Sequence, residues 1–269
     1  MNDPHKNLIS FKSARKIMSR TLNHKTKTEI KNLKDCEGRI LAKNIFSEIN
    51  VPEFDNSAVD GFGFINSNEI NKELEIIGES KPGKPFLEAI KKNQAIKIYT
   101  GAYILKDITK VNTVCMEEDC DSDGEKIRII KKFKTGNNIR IKGEDAKKKQ
   151  KIFSSGRKIR SIDLAQLSSI GVKKLKVFKK IRVGIFSSGD ELCEFPKKKS
   201  RYEIYDANKL VLVSLFKKIG CEVIDLGIIK DNYSETKKLI FKKIKSLDVI
   251  VTSGGISKSN TDKVGKFFE

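Results

Sequence analysis

Ile181–Leu192 reads IRVGIFSSGDEL, Tyr205–Asp231 reads YDANKLVLVSLFKKIGCEVIDLGIIKD, and Leu247–Ser257 reads LDVIVTSGGIS. Short apolar runs rich in Val and Ile alternate here with longer helical patterns, which is the signature of a βαβαβ unit with a parallel sheet. After Phe186 and again after Thr252 the apolar run breaks into Ser and Gly with carboxylates nearby. Such turns fall at the carboxyl ends of neighbouring strands, where open α/β sheets bind their ligands. Asp206 is placed to cap the helix that carries Leu210, Val213, Leu215 and Phe216 and stops at Gly220. Asp231 or Ser234 starts the next helix, and another opens near Thr261.

The 269 residues are enough for two or three domains. Lys and Arg outnumber Asp and Glu, 55 to 35, for a net charge of +20. That excess calls for an anionic partner, but only nine of the basic residues are Arg, the usual bidentate reader of phosphate and guanine. The runs Lys147–Lys149, Lys173–Lys174 and Lys197–Lys199 are scattered and read as lacking the interleaved aromatics of a single-strand groove. Solvated lysine faces are therefore the first reading, a small anionic substrate the second, and nucleic acid the last. Five cysteines without a CxxC favour neither a disulfide framework nor a zinc site. With no run of 18 apolar residues and no apolar leader, the expectation is a cytoplasmic protein with reduced thiols and no membrane span.

Upstream, Ser10 can cap a helix whose apolar positions Phe11, Ala14, Ile17, Met18 and Leu22 predict one buried face. RILAKNIFSEI (39–49) reads as a strand leading into VPEFDNSAVDGFGF (51–64), a Pro-, Asp- and Gly-rich ordered loop that enters a second domain. The runs ELEIIGE, AIKIYTG, NTVCMEE and KIRIIKKF predict strands of a small β domain. The DSDG between the last two predicts a hairpin turn. Ser161 is placed to cap a helix through Leu164 and Leu167 that ends before Gly171.

The only histidines, His5 and His24, lie near the N-terminus, so any chemistry falls to carboxylates. These cluster in turns: Asp55 and Asp60 in DNSAVDG, Glu144 and Asp145 in GED, Asp190 and Glu191 in SGDE, then Asp231 and Asp262. Hard oxygen donors of this kind suit Mg²⁺. Taken singly, Asp206 and Asp231 also read as helix caps, and SSGDE and SGG as plain strand-to-helix turns.

Their order is more telling than any one of them. DNSAVDG, YTGA, VCMEED, NNIRIKGED, FSSGDEL, IYDANKL, LGIIKD and SGGIS, spread from about Arg39 to Asp262, together resemble the molybdopterin molybdenumtransferase family. That family comprises the bacterial MoeA proteins and the E domain of gephyrin. The resemblance implies a multidomain α/β plus β fold: an elongated N-terminal linking region (1–50 and 146–180), a small β domain (51–145), and a three-layer α/β molybdopterin-binding domain (181–269). This last domain is expected to be incomplete, because the family continues beyond it with a lysine- and proline-containing loop and a C-terminal β domain. The chain departs from the family pattern at SKSNTD (257–262), keeping the final Asp.

The implied activity is Mg²⁺-dependent insertion of molybdate into adenylylated molybdopterin with release of AMP. By motif, the resemblance assigns functional roles to Asp60, Thr100, Asp145, Glu191, Asp231 and Asp262. It places Ser188, Gly189, Gly254, Gly255 and Ser257 around the pterin and phosphate, and makes Glu191, Asp231 and Asp262 the metal ligands. It also implies a homodimer whose cleft brings Asp60 and Thr100 of one copy to the α/β domain of the other. Two rival readings are a truncated homologue that only binds molybdopterin or dimerises, and a basic nucleic-acid-associated protein.

Overall fold

The computed structural model describes residues 9–21, 26–67, 69–229 and 233–255. Helix α1 (Phe11–Thr21) and strand β1 (Thr28–Asn32) come first, followed by the short strands β2 (Ile45–Phe46) and β3 (Asn56–Ser57). Then come β4 (Gly61–Phe64), β5 (Glu73–Ser80), β6 (Gln94–Ile98), helix α2 (Lys106–Thr109), β7 (Thr113–Met116), β8 (Cys120–Ser122) and β9 (Lys126–Ile129). β10 (Ile139–Arg140), β11 (Lys151–Phe153), α3 (Ser161–Ser169) and β12 (Lys174–Phe178) lead into the last part. That part runs β13 (Arg182–Ser188), β14 (Leu192–Cys193), β15 (Ile204–Tyr205), α4 (Asn208–Lys218), β16 (Glu222–Ile229), α5 (Tyr233–Ile244) and β17 (Val249–Ser253). Two compact units result, one of Lys31–Glu37 with Leu41–Leu175, the other of Met1–Ile30, Gly38–Ile40 and Lys176–Glu269.

The first unit, the β unit, is built on a six-stranded mixed sheet in the order β7-β4-β6-β5-β9-β8. Its two edge strands, β7 and β8, are neighbours in the chain, joined by a single 3₁₀ turn, Glu117–Asp119. A flat sheet of this size would hold its edges about 24 Å apart. Three linking residues reach at most about 14 Å. The sheet must therefore curl until its edges approach, and the thiols of Cys115 and Cys120 meet at the seam. Contact with Cys120 and burial together push the Cys115 thiol well above its ordinary pKa. Alternation along the strands fills the interior: Phe62 and Phe64 of β4, Leu74 of β5, and Ile127 and Ile129 of β9 pack in one cluster. Ile96 and Ile98 of β6 pack with Val111 and Val114 in another. The predicted DSDG hairpin is present, Asp123 Oδ1 accepting from the N–H groups of Glu125 (2.9 Å) and Lys126 (2.6 Å).

The second unit, the α/β unit, contains a parallel sheet in the order β16-β13-β17. Its centre, β13, is an almost wholly buried run, with Val183, Ile185 and Phe186 fully covered, as a strand with neighbours on both sides should be. Phe186 and Ile229 form a core with Leu226 and Ile250. Asp206 Oδ1 accepts the N–H of Lys209 at 3.1 Å, the capping role predicted for it at the start of α4.

Three local expectations are corrected. Helix α1 forms, with Ser10 Oγ accepting from Ser13 N–H at 3.2 Å, but none of its residues is buried and Phe11 is 80% exposed. Its spacing identified an apolar face without specifying what covers it. RILAKNIFSEI is mostly irregular, contributing only β2, because its main-chain partners are turns around Gln150 and Arg157 rather than a long strand. Ser161 does not cap α3. Its hydroxyl goes to Glu37, while the Asp163 carboxylate returns to the N–H of Arg160 at 3.0 Å and also binds both Arg157 and Arg160. Those guanidinium bonds hold Asp163 far below the usual carboxylate range.

Candidate active site

In the β unit, the loop Asp55–Gly61 and the turn Tyr99–Ala102 are knitted into one element. Gly101 N–H donates to Ser57 O at 2.8 Å, Ser57 N–H to Ala102 O at 3.0 Å, and Ile104 N–H to Asp55 O at 2.8 Å. Across this seam Thr100 gives both its N–H and its hydroxyl to Asp60 Oδ1, each at 2.7 Å. The N–H and the hydroxyl hold the exposed Asp60 carboxyl below its ordinary pKa. Asp60 Oδ2 is left without a hydrogen bond among the described residues. Glycine is required after Asp60: a Cβ on Gly61 would lie 1.8 Å from the carbonyl oxygen of Cys115.

The start of the same loop is fixed electrostatically. Asp55 takes the N–H of Lys142 (2.7 Å) on one oxygen and the Lys106 ammonium (2.7 Å) on the other. Burial pushes this carboxyl up, but the Lys106 ammonium and the Lys142 N–H outweigh it and the net shift is downward. Asp145 sits in the GED turn bound to Arg140 Nη2 at 2.8 Å, while Glu144 takes Arg140 Nε at 2.6 Å. Arg140 belongs to β10, which pairs with β3, so this acidic turn is tied to the Asp55–Gly61 loop through the ladder.

In the α/β unit, two glycine turns meet at the carboxyl ends of adjacent strands. Gly254, at φ +91°, lies so close to β13 that a Cβ there would come within 2.5 Å of Ser188 O. Gly255 also has positive φ, +79°. Gly189 N–H donates to Ile229 O at 3.2 Å, and the Glu191 carboxylate folds back over Gly189 to within 2.6 Å of where its Cβ would be. These turns offer main-chain groups at close approach with one carboxylate on the rim, an arrangement suited to a phosphate-bearing ligand and a hard cation.

A further network went unread in the sequence. Lys209, 5% exposed, sends its ammonium from α4 to Glu194 and to Asp225 (3.2 Å). Burial alone would lower its pKa, but these two carboxylates raise it. The signal was available in IYDANKL, where Lys209 stands three residues after the capping Asp206. Ser187 Oγ, Asp206 Oδ2 and Asn56 Oδ1 are buried without a hydrogen-bond partner among the described residues. Ser187 is at the carboxyl end of β13, and Asn56 is in the DNSAVDG loop.

Of the residues assigned by motif, the structure pairs Asp60 with Thr100, Ser188 with Gly254, and Gly189 with Glu191. Asp145 is joined to Arg140 instead. Asp231, Ser257 and Asp262 lie outside the described residues. Among the described residues no three His, Cys, Asp or Glu side chains converge as a metal centre, and Glu191 alone of the three expected ligands falls within them. No described helix is long and apolar enough to cross a membrane. A cavity of about 270 Å³, lined in part by Arg39, Phe178, Ile181, Ile219 and Cys221, opens beside the amino ends of β13 and β16, away from the glycine turns.

A curled β unit with carboxylate loops, followed in the chain by a parallel α/β sheet with glycine turns at its carboxyl ends, defines a multidomain α/β plus β protein with turns where open sheets offer ligand sites. Residues 9–171 match the family model described as MoeA N-terminal region (domain I and II), and residues 184–269 match that of the probable molybdopterin binding domain. The chain belongs to the MoeA family. It is 36% identical over 258 residues to the molybdopterin molybdenumtransferase of Haemophilus influenzae, covering 95% of this chain and 63% of that protein. With the same-named protein of Nostoc sp. it shares 31% over 249 residues, covering 90% of this chain and 56% of the relative. The solved structure of the molybdopterin biosynthesis moeA protein from Pyrococcus horikoshii superposes with a TM-score of 0.84 at 31% identity, over 92% of this chain and 66% of that one. The chain thus spans less than two thirds of the length of the curated relatives it matches.

Proposed function

We propose that this chain serves molybdenum cofactor biosynthesis as a molybdopterin molybdenumtransferase, acting on adenylylated molybdopterin and molybdate with release of AMP. The observation that carries the reading is the crossing of the two glycine turns, Gly254 against Ser188 and Gly189 beneath Glu191. Main-chain donors here approach a phosphate more closely than side chains could, and the net charge of +20 raises the local concentration of both anionic substrates.

Mg²⁺ belongs to the proposal as well. The exposed Glu191 carboxylate is a hard donor on the rim of the turn and fits that ion, with Asp231 and Asp262 as the further ligands. When bound, the ion would offset the charge of the phosphoanhydride. The chain's own groups position: Thr100 holds Asp60 through Oδ1 and favours its ionised form, and Arg140 orients Asp145. We further propose a cytoplasmic homodimer in which Asp60 and Thr100 serve the glycine turns of the second copy.

The test is cofactor formation from purified adenylylated molybdopterin, molybdate and Mg²⁺, comparing the chain with its Glu191→Gln variant. Turnover that depends on Glu191 supports the reading. Equal turnover in the variant would remove the carboxylate from the chemistry, and binding of the pterin without turnover would favour a binding-only homologue.

A further inference from the structure

The connection Glu194–Glu203 leaves the rim of the glycine turns as a closed lobe. Its feet are tied to that rim, Ile204 N–H donating to Glu191 O at 2.8 Å and Asp206 N–H to Cys193 O at 3.0 Å, where β14 and β15 pair in parallel. Within the lobe the acids turn inward. Glu194 binds the buried Lys209, and Glu203 accepts the N–H of Ser200 at 2.8 Å. Lys197, Lys198, Lys199 and Arg201 are left exposed, with no ion pair to a carboxylate among the described residues. Aromatic rings stand out beside them: Phe195 is 77% exposed and Tyr202 83%. The Arg201 guanidinium lies 5.8 Å from the Tyr202 ring centroid, and Phe195 meets Tyr205 edge-on at 6.1 Å. Phe195 and Tyr202 flank Lys197–Lys199 in the sequence itself, so the expectation that this run lacks neighbouring aromatics is corrected.

We propose that this lobe binds a nucleoside monophosphate unit, stacking its base on Tyr202 and Phe195 and pairing its phosphate with Lys197–Lys199 and Arg201. Clustered cations by themselves would suit any small oxyanion. Exposed rings set among them select an anion that carries a flat π-face. The inference rests on the proposed function, where the nucleotide is the adenylyl end of a substrate whose other end occupies the adjoining glycine turns.

The test is calorimetric titration of the 269-residue chain with AMP. Tyr202→Ala should weaken AMP about tenfold, and Tyr202→Phe should restore it, since stacking needs the ring face and not the hydroxyl. Lys197→Ser/Lys198→Ser/Lys199→Ser should weaken AMP while leaving adenosine unchanged. AMP affinity that is unmoved by both changes but lost in Glu191→Gln would overturn the lobe assignment and leave the proposed function standing. No AMP binding by the unaltered chain would overturn both. An oligothymidylate strand binding far more tightly than AMP, with a steep salt dependence, would also overturn it, in favour of a single-stranded nucleic acid.

Discussion

Thr100 donates twice to a single oxygen of Asp60, N–H and hydroxyl each 2.7 Å from Oδ1. They stand forty positions apart in the chain, yet the bonds lower the Asp60 pKa and fix the carboxylate through Oδ1. Thr100→Ala removes the hydroxyl and keeps the N–H, so the Asp60 pKa should rise part of the way to about 3.9. Thr100→Ser should leave it depressed. Carboxylate carbon shifts followed by NMR across acid pH will measure this. In the full reaction, Thr100→Ala should cost about tenfold in rate, the worth of one charge-assisted hydrogen bond.

Asp163→Asn should destabilise the β unit by about 2 kcal/mol, because the carboxylate is 2% exposed and bound by two guanidinium groups. The partners are partly exposed, which keeps the figure below that of a fully buried pair. The sign of the pH dependence follows. A folded-state pKa depressed below about 3.9 gives stability that is present above that pH and lost as pH falls toward the folded value. Urea melts from pH 6 to pH 2, values chosen to be about two units either side of that point, should show a flatter acid limb in the variant.

Gly254→Ala and Gly220→Ala separate strain from collision. Both positions have positive φ, +91° and +97°, but a Cβ at Gly220 meets nothing within 4 Å while one at Gly254 meets Ser188 O at 2.5 Å. Gly220→Ala should cost about 1 kcal/mol in chemical denaturation and leave ligand binding intact. Gly254→Ala should cost at least about 2 kcal/mol and weaken binding of the proposed pterin substrate, because β13 and β17 must part to admit the methyl group. Equal losses for the two would mean that the close approach contributes nothing.

Lys209→Met should destabilise the α/β unit by about 1 kcal/mol, because Glu194 and Asp225 lose their shared cation but are half exposed and can be solvated. Since Glu194 is the first residue of the basic lobe, limited trypsin digestion should also cut sooner at Lys197–Lys199 in this variant.

The parts of the fold that were legible in the sequence are those set by local periodicity. Glu73–Ile76 and KIRI alternate because one face of the sheet is buried, and Val183–Phe186 in the middle of β13 carries no polar side chain because it is covered on both faces and flanked by two strands. Pairing was not legible. Nothing local says that β5 runs parallel to β6 while β4 runs antiparallel to it. At the site, Asp60, Thr100 and Glu191 were found through the order of their motifs, since each alone is an ordinary turn residue. Lys209 stayed hidden because a lysine on a predicted helix reads as solvated until the tertiary fold buries it.

The three-residue link between β7 and β8 acts as a clasp on the sheet's two edges. A proteolytic nick within Glu117–Asp119 would break no ladder pair, since β7 pairs with β4 and β8 with β9. It would nevertheless release the tie that keeps the edges facing each other, and unpaired strand edges adhere to those of other molecules. Nicked protein should therefore keep its strand content by circular dichroism while it self-associates, so that this short turn guards solubility more than it guards the fold.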